Sequence, residues 1–277
     1  MVFSPVRLAV SIVTYAPDLD LLEQTLTALN SSLRYARRGV SQARLWVVDN
    51  GPGPVWRRRL QELLNQNHLI DAFDDVELLG GHGNIGYGRG HNLTIQSADD
   101  YHLVLNPDVL LAEDALLEAL NFMIAHPEAG LLAPAAADEF GNQLYLCKRY
   151  PTLFDFLLRG FTPAFIKRRF QSRLDHYELR DLIAHAVVWD VPLVSGCCML
   201  FKGPALSRVR GFSPDYFLYF EDYDISLRVA QTARTVYVPA VRITHFGGHA
   251  AGKGWRHLQL FLCSAITFFR QHTWKWC

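Results

Sequence analysis

Hydrophobic positions at the start of the chain fall into short β-branched runs separated by helical spacings. Leu8-Ala-Val-Ser-Ile-Val-Thr-Tyr15 predicts a buried strand, and Leu22, Leu26, Leu29 and Leu33 then recur on one helical face. Asp20-Leu-Leu-Glu23 offers a capping box for that helix. Arg44-Leu-Trp-Val-Val-Asp49 is a second strand ending in the loop cluster Asn50-Gly-Pro-Gly53. A third short strand covers residues 76–79, and a glycine-rich stretch follows it. Tyr101-His-Leu-Val-Leu105 is a fourth strand, ending on Asn106-Pro107-Asp108, after which Leu116, Leu117, Leu120 and Ile124 mark a helix stopped by Pro127. This alternation over residues 1–135 predicts an α/β fold with a mostly parallel sheet covered on both faces. Ligands bind such sheets beyond the carboxyl ends of the strands. Thr14, Tyr15, Asp49, Asn50, Asn106 and Asp108 all fall at those ends.

Further along, the pattern changes. Residues 145–180 interleave Phe154, Phe156, Leu157, Leu158, Phe161 and Phe165 with Arg159, Lys167, Arg168, Arg169 and Arg173, which predicts an inserted helical segment. Strands are expected at 187–194, 196–201 and 235–238, and a helix at 222–232. The chain thus divides into an α/β first half over 1–135, a second half over 136–250 with the insertion at about 150–180, and a helical segment over 251–277.

Composition narrows the partners. Lys plus Arg and Asp plus Glu each total 27, so no global field points to nucleic acid. The five cysteines have no C-x-x-C spacing, which argues against a disulfide framework or structural zinc and fits a reducing, cytoplasmic setting. The apolar runs at 8–15 and 258–269 are too short to span a bilayer, so an integral membrane protein is not expected. The mixture of aromatic and basic residues in 154–173 and 268–276 nevertheless has the composition of an interfacial anchor, with a packed helical flap and an ordinary terminal helix as the equally weighted alternative.

Several positions could carry chemistry. Asp108 emerges at a strand end, where it either starts the next helix or offers oxygen to a hard cation. Gly81, Gly83 and Gly86 spell G-x-G-x-x-G, but after the third strand rather than the first, so a dinucleotide-binding oxidoreductase has the wrong context. A bend bringing Asn84, Arg89 and Asn92 to a ligand is the better expectation. Glu221, Asp222 and Asp224 follow the aromatic run 216–220 and open a helix, where acids either complement the dipole or position a general base. His245, before Phe246-Gly-Gly-His249, is a lone histidine and by itself more often structural than a ligand.

Taken in order, Val10-Ser-Ile-Val-Thr-Tyr15, Val47-Val-Asp-Asn50, Gly83-Asn-Ile-Gly-Tyr-Gly-Arg-Gly-His-Asn92, Leu105-Asn-Pro-Asp108, Val194-Ser-Gly196 and Phe220-Glu-Asp-Tyr-Asp224 resemble the family 2 inverting glycosyltransferases of the GT-A fold. Within that family the chain looks like the bacterial rhamnosyltransferase branch that builds O-antigen, cell-wall and related surface polysaccharides. The resemblance implies a Rossmann-like nucleotide-binding half joined to an acceptor-binding half. It implies that Thr14, Tyr15 and Asp49 contact the nucleoside, Asp49 through the N3–H of uracil or thymine. Asn84, Gly86, Arg89 and Asn92 would cover the donor, and Asn106, Trp189 and Gly196 would complete the substrate site. Asp108 stands at the metal aspartate of the family's D-x-D motif, whose first aspartate is here Asn106, and His245 matches a late histidine that completes a Mg2+ or Mn2+ site. Asp222, or Glu221, takes the catalytic-base position. The implied donor is a nucleotide-diphosphate sugar, dTDP-β-L-rhamnose by preference. The implied acceptor is a glycan or polyprenyl-diphosphate-linked glycan, met at the inner face of the cell membrane. Gly90-His91-Asn92, where the family often shows paired asparagines, is a departure that bears on the donor sugar. A GT-A protein that binds sugar nucleotide without turnover is disfavoured by the intact Asp108, Asp222 and His245.

Overall fold

The computed structural model describes residues 5–96, 99–152, 154–156, 158, 162, 164–183, 186–247 and 254–274. Its first half reads β1 (Val6–Thr14), α1 (Leu19–Ala36), β2 (Val40–Asp49), α2 (Pro54–Leu64), β3 (Asp75–Gly80), α3 (Tyr87–Asn92), β4 (Tyr101–Leu105), β5 (Val109–Leu111), α4 (Ala115–Ala125) and β6 (Ala129–Ala137). The strands that follow are β7 (Gln143–Leu144), β8 (Cys147–Lys148), β9 (Val188–Trp189), β10 (Leu193–Val194), β11 (Cys198–Lys202) and β12 (Arg234–His245). Helices Ala164–Arg169, Gln171–Tyr177, Gly203–Arg208, Glu221–Ala230 and Gly254–Gln271 lie among and after them.

β1 pairs in parallel with both β2 and β4, as its β-branched composition and double burial require. The helix after β1 is capped by Asp18 rather than by the Asp20 box, because the Asp18 carboxylate accepts from the Asp20 and Leu21 N–H groups at 3.0 and 3.2 Å. Leu22, Leu26, Leu29 and Leu33 of α1 are fully buried on the face that meets Leu8, Val10 and Ile12. On the other face of the sheet, Val104, Met199, Phe201 and Ile225 form a second core.

The main sheet has ten strands, ordered β3-β2-β1-β4-β11-β6-β12-β5, with β7 on β6 and β9 on β12. β11 inserts antiparallel between β4 and β6, and β12 returns parallel to β6. This continuous sheet crosses the expected boundary at residue 135, which falls inside β6, so the two halves share one framework. β6 is alanine-rich and contains Pro134, a pattern without strand signals of its own. The segment expected as one strand at 187–194 is two, β9 on the main sheet and β10 on β8.

Within the insertion lie helices Ala164–Arg169 and Gln171–Tyr177. Arg173 is tied down by Asp155 at 2.6 Å and lies over the Phe154 ring. In the terminal helix Gly254–Gln271, Phe268 and Phe269 do not face outward as an anchor would. They are buried with Tyr216 and Phe220 in a third aromatic core, because the 216–220 run needs a covering surface. Trp255, Leu262 and Ile266 are the exposed apolar side chains of that helix. Leu157, Arg159, Phe161, His249, Lys275 and Trp276 lie outside the described residues. No described helix is long and apolar enough to cross a membrane.

Candidate active site

Strand ends β1, β2 and β4 bring the first group of side chains to one edge. Thr14 is buried and its hydroxyl donates to the Val48 carbonyl at 3.2 Å, while Tyr15 projects with 57% of its surface exposed. Asp49 is buried, and one of its oxygens accepts the Gly51 N–H at 2.8 Å. Asn50 donates to the Gly86 carbonyl at 2.9 Å, while its own carbonyl oxygen is buried without a partner. Asn84 accepts from the Gly86 N–H at 3.1 Å, shaping the turn into α3. Gly86 has φ of +95°, and a Cβ there would sit 2.5 Å from the Phe217 carbonyl oxygen.

Arg89 and Asn92 are used differently from the expectation. Arg89 donates to the Pro214 carbonyl, and Asn92 bonds both the N–H and the carbonyl of Phe212 at 2.8 Å. Both therefore hold the 212–214 segment. Trp189 is not part of the group at all. It lies on β9 against Val236, at the far end of β12 from His245, with its ring between Phe122, His126 and the Arg234 guanidinium. Its place was legible only once the strand pairing was known.

Beyond β4, the Asp108 carboxylate lies 3.5 Å from His245 Nε2. The two meet because β5 pairs with the end of β12, and because the Phe246 N–H donates to the Asp108 carbonyl at 3.0 Å. One Asp108 oxygen is buried without a hydrogen-bond partner, and a Cβ on Gly247 would collide with both Asp108 and His245. An orphaned carboxylate oxygen beside an imidazole nitrogen fits Mg2+ or Mn2+, which complete their shells with water and phosphate oxygens. Among the described residues no cluster of three or more His, Cys, Asp or Glu could hold a metal ion.

A second acidic group opens the helix Glu221–Ala230. Tyr219 and Phe220 precede it with φ of 71° and 67°, two consecutive left-handed aromatics of the kind that persist only where surrounding structure enforces them. Asp222 is partly accessible. One of its oxygens accepts the Gly196 N–H and the other the Tyr223 N–H, both at 2.9 Å. Burial pushes its carboxyl up to about 6, opposed by those two donors. Glu221 is buried with one oxygen unpartnered, and burial together with the Asp222 charge pushes it up to about 8. Burial thus raises both carboxyls, Glu221 more than Asp222, whose two N–H donors favour its charged form.

Tyr87 reaches both the Gly196 turn beside Asp222 and the Asn106 side chain. Its hydroxyl is 2.6 Å from the Gly196 carbonyl and 3.0 Å from the Asn106 side-chain amide. Burial raises its phenol well above the usual range, and the acidic groups Glu221, Cys197, Asp222 and Asp108 push the same way. Nothing in Gly-Tyr-Gly says where the Tyr87 ring points, so the sequence alone gives it no role.

No protein-family model matches the chain. In sequence it is similar to the N-acetylglucosaminyl-diphospho-decaprenol L-rhamnosyltransferase of Mycobacterium tuberculosis, 29% identical over 200 residues that cover 66% of this chain and 63% of the relative. It is also similar to rhamnosyltransferase WbbL of Escherichia coli K12, 30% identical over 176 residues, covering 59% and 62%. The matched segments thus span less than two thirds of each relative's own length. In fold it is similar to GalNAc-T7 solved with UDP, GalNAc and Mn2+, with a TM-score of 0.64, 13% identity and coverage of 96% of this chain and 48% of the other. The mannosyltransferase PcManGT from Pyrobaculum calidifontis, in complex with GDP-Man and Mn2+, gives 0.60 and 19%, covering 95% of this chain and 65% of the other. The chain is accordingly a homologue of proteins named rhamnosyltransferase and has the GT-A fold of its glycosyltransferase neighbours.

Proposed function

We propose that the chain is an inverting glycosyltransferase that moves L-rhamnose from dTDP-β-L-rhamnose to a hydroxyl of a polyprenyl-diphosphate-linked glycan in surface-polysaccharide synthesis. The observation that carries this is the presence of two chemistries, the Asp108–His245 pair with its orphaned carboxylate oxygen and an Asp222 carboxylate held by the Gly196 and Tyr223 N–H groups. The names of the relatives support the sugar and the lipid-linked acceptor, and the Mn2+ complexes of the structural neighbours support a divalent cation.

The chain's residues would divide the work as follows. Tyr15 and Asp49 receive the nucleoside at the β1 and β2 ends. Asp222 takes the acceptor hydroxyl proton as that oxygen forms its bond to the anomeric carbon. The bond from that carbon to the diphosphate oxygen breaks, the electron pair leaves with the nucleotide, and the configuration inverts. A cation held by Asp108 and His245 would supply positive charge to the diphosphate. Glu221, protonated, keeps a second negative charge away from Asp222.

Membrane contact is also proposed, at the inner leaflet and through the exposed face of helix Gly254–Gln271. That face carries Trp255, Leu262 and Ile266, and the helix includes Arg256 and Arg270 but no acidic residue.

The deciding measurement is transfer from dTDP-rhamnose, UDP-sugars and GDP-sugars to a synthetic N-acetylglucosaminyl-diphospho-polyprenol with Mg2+ or Mn2+. Turnover with dTDP-rhamnose at least tenfold above the others supports the donor. Turnover with another sugar nucleotide alone would keep the reaction class and overturn the donor.

A further inference from the structure

We propose that the Tyr87 hydroxyl is a positioning group that holds the Gly196 turn, whose N–H contacts the base, in register with the Asn106 to Asp108 turn on the donor side. This role presupposes the transferase function above, with Asp222 as base and Asp108 on the diphosphate side.

The geometry is a chain of hydrogen bonds across the cleft. The Tyr87 phenol has one proton and two close neighbours, the Gly196 carbonyl at 2.6 Å and the Asn106 amide at 3.0 Å. Both neighbours as placed are acceptors, the Gly196 carbonyl and Asn106 Oδ1; the single proton goes to the closer Gly196 carbonyl, and turning the Asn106 amide over lets its N–H meet the phenol oxygen. The Gly196 N–H in turn donates to Asp222 at 2.9 Å. On the main chain, the Asn106 N–H donates to the Cys197 carbonyl at 2.8 Å and fastens the same two turns. A side chain at Gly196 would crowd this path, since a Cβ would lie 3.2 Å from that of Asp222 and 3.5 Å from the Tyr87 ring.

Tyr87 is itself fixed from behind. Its N–H donates to the Phe217 carbonyl at 3.1 Å, and its ring packs edge-on against His91 and Phe212 with centroids at 4.5 and 6.3 Å. Burial and the surrounding negative charges keep the phenol protonated, so it serves as a strut and not as an acid or base. Phenylalanine would keep every ring contact and remove only the strut.

Tyr87→Phe is therefore expected to lower kcat about 10- to 100-fold, as misplacement of a reacting group does, with KM for dTDP-rhamnose changed less than about twofold. The Gly196 N–H is no longer held on Asp222, so the acid limb of kcat moves to higher pH. The titratable groups acting with Asp222 are Glu221 on its own helix, Tyr87 on α3 and Cys197 before β11, and Phe leaves the other two in place. A readout independent of turnover is the Asp222 carboxyl titration by 13C NMR in metal-free protein, which should shift upward in Tyr87→Phe and, less, in Asn106→Leu. In an Asp222→Asn background, Tyr87→Phe should cost less than about threefold more. A folded Tyr87→Phe with wild-type kcat and an unmoved Asp222 titration would overturn the proposal, as would a fully multiplicative loss in the double variant. Should Tyr87→Phe fail to fold, Asn106→Leu decides by the same readouts. No transfer by the wild type, or full activity of Asp222→Asn, would instead bring down the transferase function, while the titration still judges the strut.

Discussion

A buried carboxyl that must ionise against a neighbouring charge weakens the fold as it does so, and Glu221 is in that position. Its folded value of about 8 lies above the ordinary glutamate value of 4.5. The folded state therefore holds a proton that the unfolded chain releases, and stability present at low pH is lost as pH rises toward 8. The melting temperature of the wild type should fall between pH 6 and pH 9, and Glu221→Gln should remove most of that fall; an unchanged slope would place Glu221 in water. Asp222 sets a different limit. With its carboxyl near 6, turnover should decline as pH drops through about 6, and Asp222→Asn should lower kcat about 100-fold or more while leaving dTDP binding by calorimetry unchanged. Both acids were legible in the sequence, as carboxylates following an aromatic run. Which of them holds the proton was not, because that depends on the Gly196 and Tyr223 N–H groups and on burial that only the folded chain creates.

At the scale of elements, the short helix α3 is held down by a polar clip within the core. The Ser11 hydroxyl on β1 lies 2.7 Å from His91 Nδ1 on α3 and 2.8 Å from His102 Nε2 on β4. Burial drives both imidazoles below their usual value, His102 to about 4, so both are neutral in the fold. Here the unfolded chain binds the extra protons, and the stability of the clip is lost as pH falls from about 6.5 toward 4. His102→Gln should flatten that acid slope in thermal melts monitored by circular dichroism. The terminal helix makes a separate prediction: Trp255→Ser, Leu262→Ser and Ile266→Ser together should reduce co-sedimentation with anionic vesicles, and added salt should do the same to the wild type. Equal, negligible pelleting of both proteins would remove membrane contact from the function. The strands β1, β2 and β4 were legible because doubly buried strands are continuous apolar runs. Phe268 and Phe269 were not, since an aromatic pair reads alike whether it meets lipid or Tyr216.

For the molecule as a whole, the parallel first half could be read from alternating periods, but the order of strands past β4 could not. β11 enters between β4 and β6 from far along the chain, and only that pairing carries Gly196 to Asn106. The same long-range closure brings β12 to β5 and His245 to Asp108. If that junction holds the cation, EDTA should abolish transfer, Asp108→Ala should not be rescued by added Mn2+, and calorimetry should show Mn2+ binding only with dTDP present. Tight Mn2+ binding without nucleotide would contradict an open, substrate-completed site. The dependence of one region on another also reaches the last helix. His272 contacts Asp224 at 2.9 Å, Gln271 bonds Tyr216 and Asp215, and the Ser264 hydroxyl donates to the Leu218 carbonyl, so the left-handed turn before Glu221 is braced by residues that touch no substrate. A premature stop codon at position 254 would thus spare every codon of the proposed catalytic machinery and still yield an inert polypeptide.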